Sequence, residues 1–270
     1  MMTYPSKLKV LDLFSGIGGF SLGLERTGGF ETVAFCEVCP KSRQVLRKHW
    51  HDVPIFEDIR TLTNEQLQAE NIEADVITGG FPCQDISQSN SKGDGINGKK
   101  SGLWIELARL IRDVKPSWAI IENVPAIRSR GLNQLIAELD ECGYMGEWYI
   151  IPASSIGAYH RRARMYLIAY PCSYANDFSG GAPFVQRYVL DKTERNQKPD
   201  GFIFNDSGSI TRGRLNNWTS EHWAYQSPRC RMVNGLSRGL DKDRLKQLGN
   251  SLVPQIPELI GNAILEANDV

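Results

Sequence analysis

A chain of 270 residues with 41% hydrophobic content can bury a large core in one domain and still carry an appendage. No stretch approaches the roughly 18 consecutive apolar residues of a membrane span, and the opening "MMTYPSKLKV" lacks the apolar centre of a signal peptide, so a cytoplasmic chain without a membrane partner is expected. The formal net charge of zero hides an uneven distribution, with 16 Lys/Arg against 20 Asp/Glu in residues 1–155, 15 against 8 in 156–250, and none against 3 in 251–270. The basic segment is either a phosphate-facing surface or a solvated face.

Short apolar runs alternate with helical patterns through the first half. The runs "KVLDLF", "TVAFCEV", "DVITGG", "WAIIENV", "EWYIIPA" and "RMYLIAY" read as strands, with a further strand ending near Asp58. Helices are expected at 21–26, 41–49, 103–114 and 132–142, the last stopped by Gly143, and again at 252–267. This rhythm predicts an α/β fold with a doubly wound, mostly parallel sheet, whose ligands sit at the carboxyl ends of the strands. Between Pro171 and Pro228 the rhythm gives way to Gly, Asn, Ser and aromatic residues. The expected organisation is therefore a domain over 1–170, a small irregular region over 171–228, and a return segment over 229–270.

Several constellations fall at the expected strand ends. In "DLFSGIGGF", Gly16, Gly18 and Gly19 form a tight turn ahead of a helix, but the dinucleotide spacing G-x-G-x-x-G would need glycine at 21, where Ser21 stands. Glu37, ending the next strand, could accept hydrogen bonds from ribose hydroxyls. Asp58 could hold an adenine amino group or cap a helix. The run "CEVC" at 36–39 spells C-x-x-C without a second half, and burial of two small residues is a better reading than zinc. Cysteines 36, 39, 83, 142, 172 and 230 are scattered, which predicts free thiols. In "GGFPCQDIS", Cys83 follows a strand and precedes a polar, glycine-rich stretch suited to a lid. "ENV" delivers Glu122 beside it, and "HRRAR" delivers Arg162 and Arg164, so a nucleophile, an acid and a cation converge.

In the same order, "DLFSGIGGF", "GGFPCQDIS", "ENV", "HRRARMYLIAY" and "QLGNSLVPQI" resemble the motifs of the DNA cytosine-C5 methyltransferases. The compact form looks most like phage or prophage-type bacterial enzymes of DNA methylation and restriction-modification. The resemblance implies the S-adenosylmethionine-dependent methyltransferase fold, and a cofactor without a pyrophosphate explains the failed dinucleotide spacing. By the same resemblance, Phe14, Gly16, Gly18, Glu37, Val38, Asp58, Ile59, Pro82, Leu103, Asn250 and Ser251 bind S-adenosylmethionine. Cys83 is then the nucleophile, Glu122 the acid at the cytosine edge, and Arg162 and Arg164 the arginine pair, with Arg162 toward DNA. No metal is required.

Such chemistry needs a base outside the duplex. The lid over 84–102 carries Gln84, Ser87 and Gln88 for the vacated space, and Lys92, Lys99 and Lys100 for phosphates. Arg187, Arg212 and Arg214 lie among the aromatic residues of the 171–228 region, which would read double-stranded DNA. Two alternatives stand beside this one. The RNA-methylating branch carries an additional signature near the catalytic loop that is not seen here, and a non-catalytic DNA-binding regulator would be expected to have lost Cys83, Glu122 or the cofactor acids. A monomer is expected.

Overall fold

The computed structural model describes residues 6–82, 101–156, 158, 161–176, 203–204, 210–211 and 251–268. Within them a seven-stranded sheet is built from β1 (Leu8–Leu13), β2 (Phe30–Cys36), β3 (Ile55–Phe56), β4 (Val76–Gly79), β5 (Trp118–Asn123), β6 (Tyr144–Pro152) and β7 (Ala163–Pro171), in the order β3-β2-β1-β4-β5-β7-β6. Every pairing is parallel except those of β7, which runs against both β5 and β6. The helices are α1 (Gly19–Glu25), α2 (Pro40–His49), α3 (Asn64–Ala69), α4 (Trp104–Val114), α5 (Ile127–Arg130), α6 (Leu132–Glu141) and α7 (Gln255–Asn268). None of the described helices is long and apolar enough to cross a membrane.

Alternation along β1 divides the core in two. Leu11 and Leu13 join Ile77, Leu107, Ile111, Ile121 and Leu135 on the α4 and α6 side. Val10 joins Phe20, Leu24, Ile120, Ile168 and Ile260 on the α1 and α7 side. Period-2 strands covered on both faces explain why the central runs are almost wholly apolar.

The expected strands and helices form close to their expected positions, with three informative differences. The C-terminal helix begins at Gln255 rather than at Leu252; Pro254 disfavours helical geometry at Val253, the residue before it. Helices α3 and α5 are not among the expected ones, although "TNEQ" encodes the start of α3. Thr63 accepts from the Gln66 N–H at 3.3 Å, and the Gln66 side chain accepts from the Thr63 N–H at 3.1 Å, which is a capping box. The reversed direction of β7 was also not legible, because a strand's periodicity is the same in either direction.

Helix α1 packs directly on the segment leading into α7. A Cβ on Gly23 would run into the carbonyl oxygen of Pro254 and come within 2.9 Å of the Pro257 ring. Gly23→Ala must therefore push α1 and α7 apart, and overpacking of this kind costs about 1–3 kcal/mol. A lowered urea midpoint at unchanged slope is the expected result, and an unchanged midpoint would contradict the close packing.

Candidate active site

Strand register brings the site residues to one edge. Leu13 pairs with both Cys36 and Gly79, and Gly79 pairs with Ile121. The residues next in line on these four strands, Phe14, Glu37, Gly80 and Glu122, therefore leave the sheet side by side. Because β7 is antiparallel, its beginning reaches the same edge, with Glu122 opposite Tyr166 and Arg164 two residues earlier on β7.

The turn after β1 has an unusual backbone. Phe14 has φ 52°, a left-handed value rarely adopted by a bulky residue, and Gly16 and Gly18 follow at 55° and 81°. Gly18 caps α1 over the Trp50 ring, where a Cβ would stand 2.6 Å from a ring carbon. Glu37 holds this turn, with one carboxylate oxygen accepting from the Gly16 N–H at 2.7 Å and the other from the Cys39 N–H at 2.7 Å. Val38, beside it, is 65% exposed, an open apolar surface next to an oriented carboxylate. Past β3, Asp58 accepts from the Arg60 backbone N–H at 3.0 Å and from its guanidinium Nε at 2.9 Å. The Arg60 side chain holds the Asp58 carboxyl below the usual carboxylate range. Ile59 is buried, and its carbonyl accepts from Arg109 at 3.0 Å. Leu103 caps α4 and is half-buried, and Pro82 ends the described segment after β4.

At the other half of the edge, Arg164 Nε meets a Glu122 carboxylate oxygen at 2.9 Å, with the two side chains 23% and 15% exposed. Burial raises the Glu122 pKa, opposed by Arg164 and then Arg162. A Cβ at position 80 would stand 2.9 Å from the second Glu122 oxygen, so a larger residue there would displace the carboxyl. Tyr166, fully buried, has a hydroxyl without a hydrogen-bond partner among the described residues. Burial, with the Glu122 charge behind it, drives its pKa well up, so it stays neutral. Arg162 donates to the Ser251 carbonyl at 2.5 Å, and burial lowers its pKa. Expected toward DNA, its guanidinium reaches the return segment.

Cys83, Gln84, Ser87, Gln88, Lys92, Lys99, Lys100, Arg187, Arg212, Arg214 and Asn250 lie outside the described residues. Cys36 is buried, its thiol pushed up to about 12 by desolvation and then by Asp58 and Glu37. Cys39 is only half-buried, at the cap of α2, where N–H groups of the first turn lower its pKa. Joint burial therefore fails for the second cysteine. Among the described residues no cluster of three His, Cys, Asp or Glu could hold a metal ion.

The residues missed from sequence are those that hold the loops. Asp12 accepts from Thr78 Oγ1 at 2.7 Å and from Ser21 Oγ at 2.9 Å, joining β1, β4 and α1 beneath the turn. Arg43 donates to the carbonyls of Glu37 and Val38, both at 3.0 Å, and pairs with Glu57 at 3.0 Å. Asn123 donates to the Phe81 carbonyl at 3.2 Å, fixing the chain two residues before Cys83. The available signal was a polar residue inside an apolar run: Asp12 in "VLDLF" and Thr78 in "VIT".

The sheet order with one reversed strand, and a glycine-rich turn facing an acid at the next strand end, define the methyltransferase fold. Two solved structures share it along nearly the whole chain. An Entamoeba histolytica methyltransferase is 18% identical at TM-score 0.61, covering 97% of this chain and 98% of that one. The S. pombe Dnmt2 methyltransferase is 17% identical at TM-score 0.61, covering 97% and 100%. Residues 8–229 match the model of the C-5 cytosine-specific DNA methylases, and the chain belongs to that family. The Type II methyltransferase M2.BsuMI of Bacillus subtilis is 39% identical over 170 residues, 60% of this chain and 42% of that protein. M.Sau3AI of Staphylococcus aureus is 34% identical over 182 residues, 61% and 44%. The matched part thus spans less than half the length of these relatives.

The buried Asp12 generates a pH prediction. Burial raises its pKa from the ordinary 3.8 to about 7 in the folded protein. Between these values the folded state holds a proton that the unfolded state has released, so the contribution of Asp12 to stability is full below pH 3.8 and is lost as pH rises to about 7. Asp12→Asn should flatten this part of the stability–pH curve in urea melts; an unchanged slope would show that Asp12 does not titrate there.

Proposed function

We propose that the protein transfers a methyl group from S-adenosylmethionine to C5 of cytosine in double-stranded DNA, through a covalent bond between Cys83 and C6 of a base rotated out of the duplex. The observation that carries this reading is the half-buried Glu122–Arg164 pair on the sheet edge, with Glu122 pushed toward its neutral form. Family membership and the Type II relatives support DNA as the substrate. The proposed division of labour is catalysis in 1–170, target recognition in 171–228 with Arg187, Arg212 and Arg214, and completion of the site by 229–270. A cytoplasmic location is part of the same reading.

The site fits the cofactor on its own terms. Glu37 presents an oriented carboxylate beside a turn of left-handed backbone, with Val38 exposed next to it for a purine ring. Phe14, Gly16, Gly18, Asp58, Ile59, Pro82, Leu103, Asn250 and Ser251 complete the proposed pocket. When bound, S-adenosylmethionine supplies an electrophilic methyl group.

C5 of cytosine is too electron-poor to attack that methyl group unaided. The Cys83 thiolate adds to C6, breaking the C5–C6 double bond and driving electrons through the ring to N3, where Glu122 gives a proton. The neutral acid required for this step is the form that burial favours. Arg164 offsets the cost of burial, orients the carboxyl and has further N–H groups for the cytosine O2. Once C5 carries the methyl group, a base removes its proton, the Cys83 thiolate leaves and N3 returns the proton to Glu122. Gln84, Ser87 and Gln88 fill the space vacated by the base, and Lys92, Lys99 and Lys100 meet phosphates.

Release depends on loss of the C5 proton, so fluorine at C5 blocks it. Duplex DNA carrying 5-fluorocytosine, with S-adenosylmethionine present, should give a denaturation-resistant adduct on the Cys83 peptide, and Cys83→Ser should give none. An adduct on another cysteine, or preferential trapping of fluorinated RNA, would overturn the reading. Glu122→Gln should lower kcat by about 10²–10⁴-fold while cofactor affinity stays unchanged. Glu37→Ala should show the reverse pattern in calorimetry, with weakened S-adenosylmethionine binding. For the native enzyme, kcat/KM should fall on the alkaline side as Glu122 ionises, and the raised pKa places that fall above the usual carboxylate range.

A further inference from the structure

Arg162 stands out among the residues at the sheet edge. Its φ of 27° lies in the left-handed range, where a non-glycine residue persists only if its surroundings fix it. Its own carbonyl accepts from the Ala153 N–H at 3.4 Å, and its guanidinium donates to the Ser251 carbonyl 89 residues away in sequence. Burial and the neighbouring positive charge of Arg164 both disfavour a cation here, while Glu122 favours it. Arg162 therefore sits where charge is costly, and a backbone carbonyl of the return segment helps to compensate it.

That carbonyl belongs to a short segment with two neighbours. On one side Ser251 accepts from Arg162, two residues before Arg164, which grips Glu122. On the other side Leu252 lies against Gly19, where a Cβ would come within 3.1 Å of its side chain, and the Pro254 carbonyl faces Gly23. Gly19 opens α1 and follows directly on the turn held by Glu37. A contiguous path runs from the glycine-rich turn through Leu252 and Ser251 to Arg162, and from there to Arg164 and Glu122. The turn meets Leu252 by close packing, Ser251 meets Arg162 by a hydrogen bond and Arg164 meets Glu122 by an ion pair, and the short steps between them follow the chain itself.

We propose that Arg162 is a positioning residue that couples occupancy of the cofactor pocket to the geometry of the Glu122–Arg164 target pocket, with residues 251–254 as the connecting strap. This rests on the function proposed above. Ligand that orders the turn presses α1 onto Leu252 and Pro254; the strap holds Ser251 in place, and Arg162 passes that order to the start of β7. Arginine suits the task because its planar, always charged group can donate to a carbonyl and still meet a carboxylate field.

Hydrogen exchange with S-adenosylhomocysteine as the probe tests this without DNA. In the native protein the probe should slow amide exchange by about 5-fold or more, both in residues 15–18 and in residues 164–166. In Arg162→Met the protection at 15–18 should remain and that at 164–166 should vanish, with Arg162→Lys between the two. A purely structural role would speed exchange at 164–166 equally with and without probe, leaving the probe-induced difference intact, and that result overturns the coupling. Protection confined to 15–18 in the native protein overturns it as well, whatever the variants do. No protection anywhere, with no binding in calorimetry, would instead count against the cofactor reading itself.

Discussion

The antiparallel pairing of β7 with β5 is the constraint on which the site depends. Were β7 parallel to its neighbours, its first residues would lie at the opposite edge of the sheet. Arg164 and Pro171 are separated by seven residue steps, about 23 Å at the usual strand rise. Reversal instead sets the start of β7 against the end of β5, with Glu122 opposite Tyr166, so that Arg164 closes on Glu122 at 2.9 Å. Hydrogen bonding between two strands thus decides whether an acid in one motif and a cation in another can meet.

Beneath the edge, buried polar groups do what apolar packing cannot: they fix direction. Asp12 joins β1, β4 and α1 through two hydroxyls, Arg43 holds the carbonyls of Glu37 and Val38, and Asn123 anchors the chain before Cys83. Such hydrogen bonds rigidify a site, and the burial they require is costly wherever a polar atom is left over, as at Arg43 Nε, which finds no partner among the described residues. Asp12 shows the balance plainly, since two hydroxyl donors lower its pKa but desolvation outweighs them. Left-handed backbone at Phe14 and Arg162 places strain at the two loops where function is proposed, and the surrounding hydrogen bonds hold it there.

Opposed forces set the chemistry of Glu122. Burial favours the neutral acid, and two arginines favour the carboxylate; desolvation prevails in direction without removing the Coulombic pull. A group balanced in this way can give a proton to a ring nitrogen and take it back. The carboxyl also lies close against the β4 exit, where a Cβ at position 80 would come within 2.9 Å of it.

The sequence by itself determined the order of the strands and of the longer helices, because apolar periodicity and the glycine and proline signals are local, and the five motifs carried the family. It also placed Glu37, Glu122 and Arg164 at strand ends, since a residue just past an apolar run can only leave the sheet there. It missed α3, although Thr63 and Gln66 spelled its capping box, since a helix of six residues offers too few turns for periodicity to show. Only the tertiary structure decided the direction of β7, the roles of Asp12, Arg43 and Asn123, the different burial of Cys36 and Cys39, and the turn of Arg162 toward Ser251. Each of these depends on contacts between residues tens of positions apart or on the depth to which a side chain is buried, and neither leaves a periodic mark on the chain.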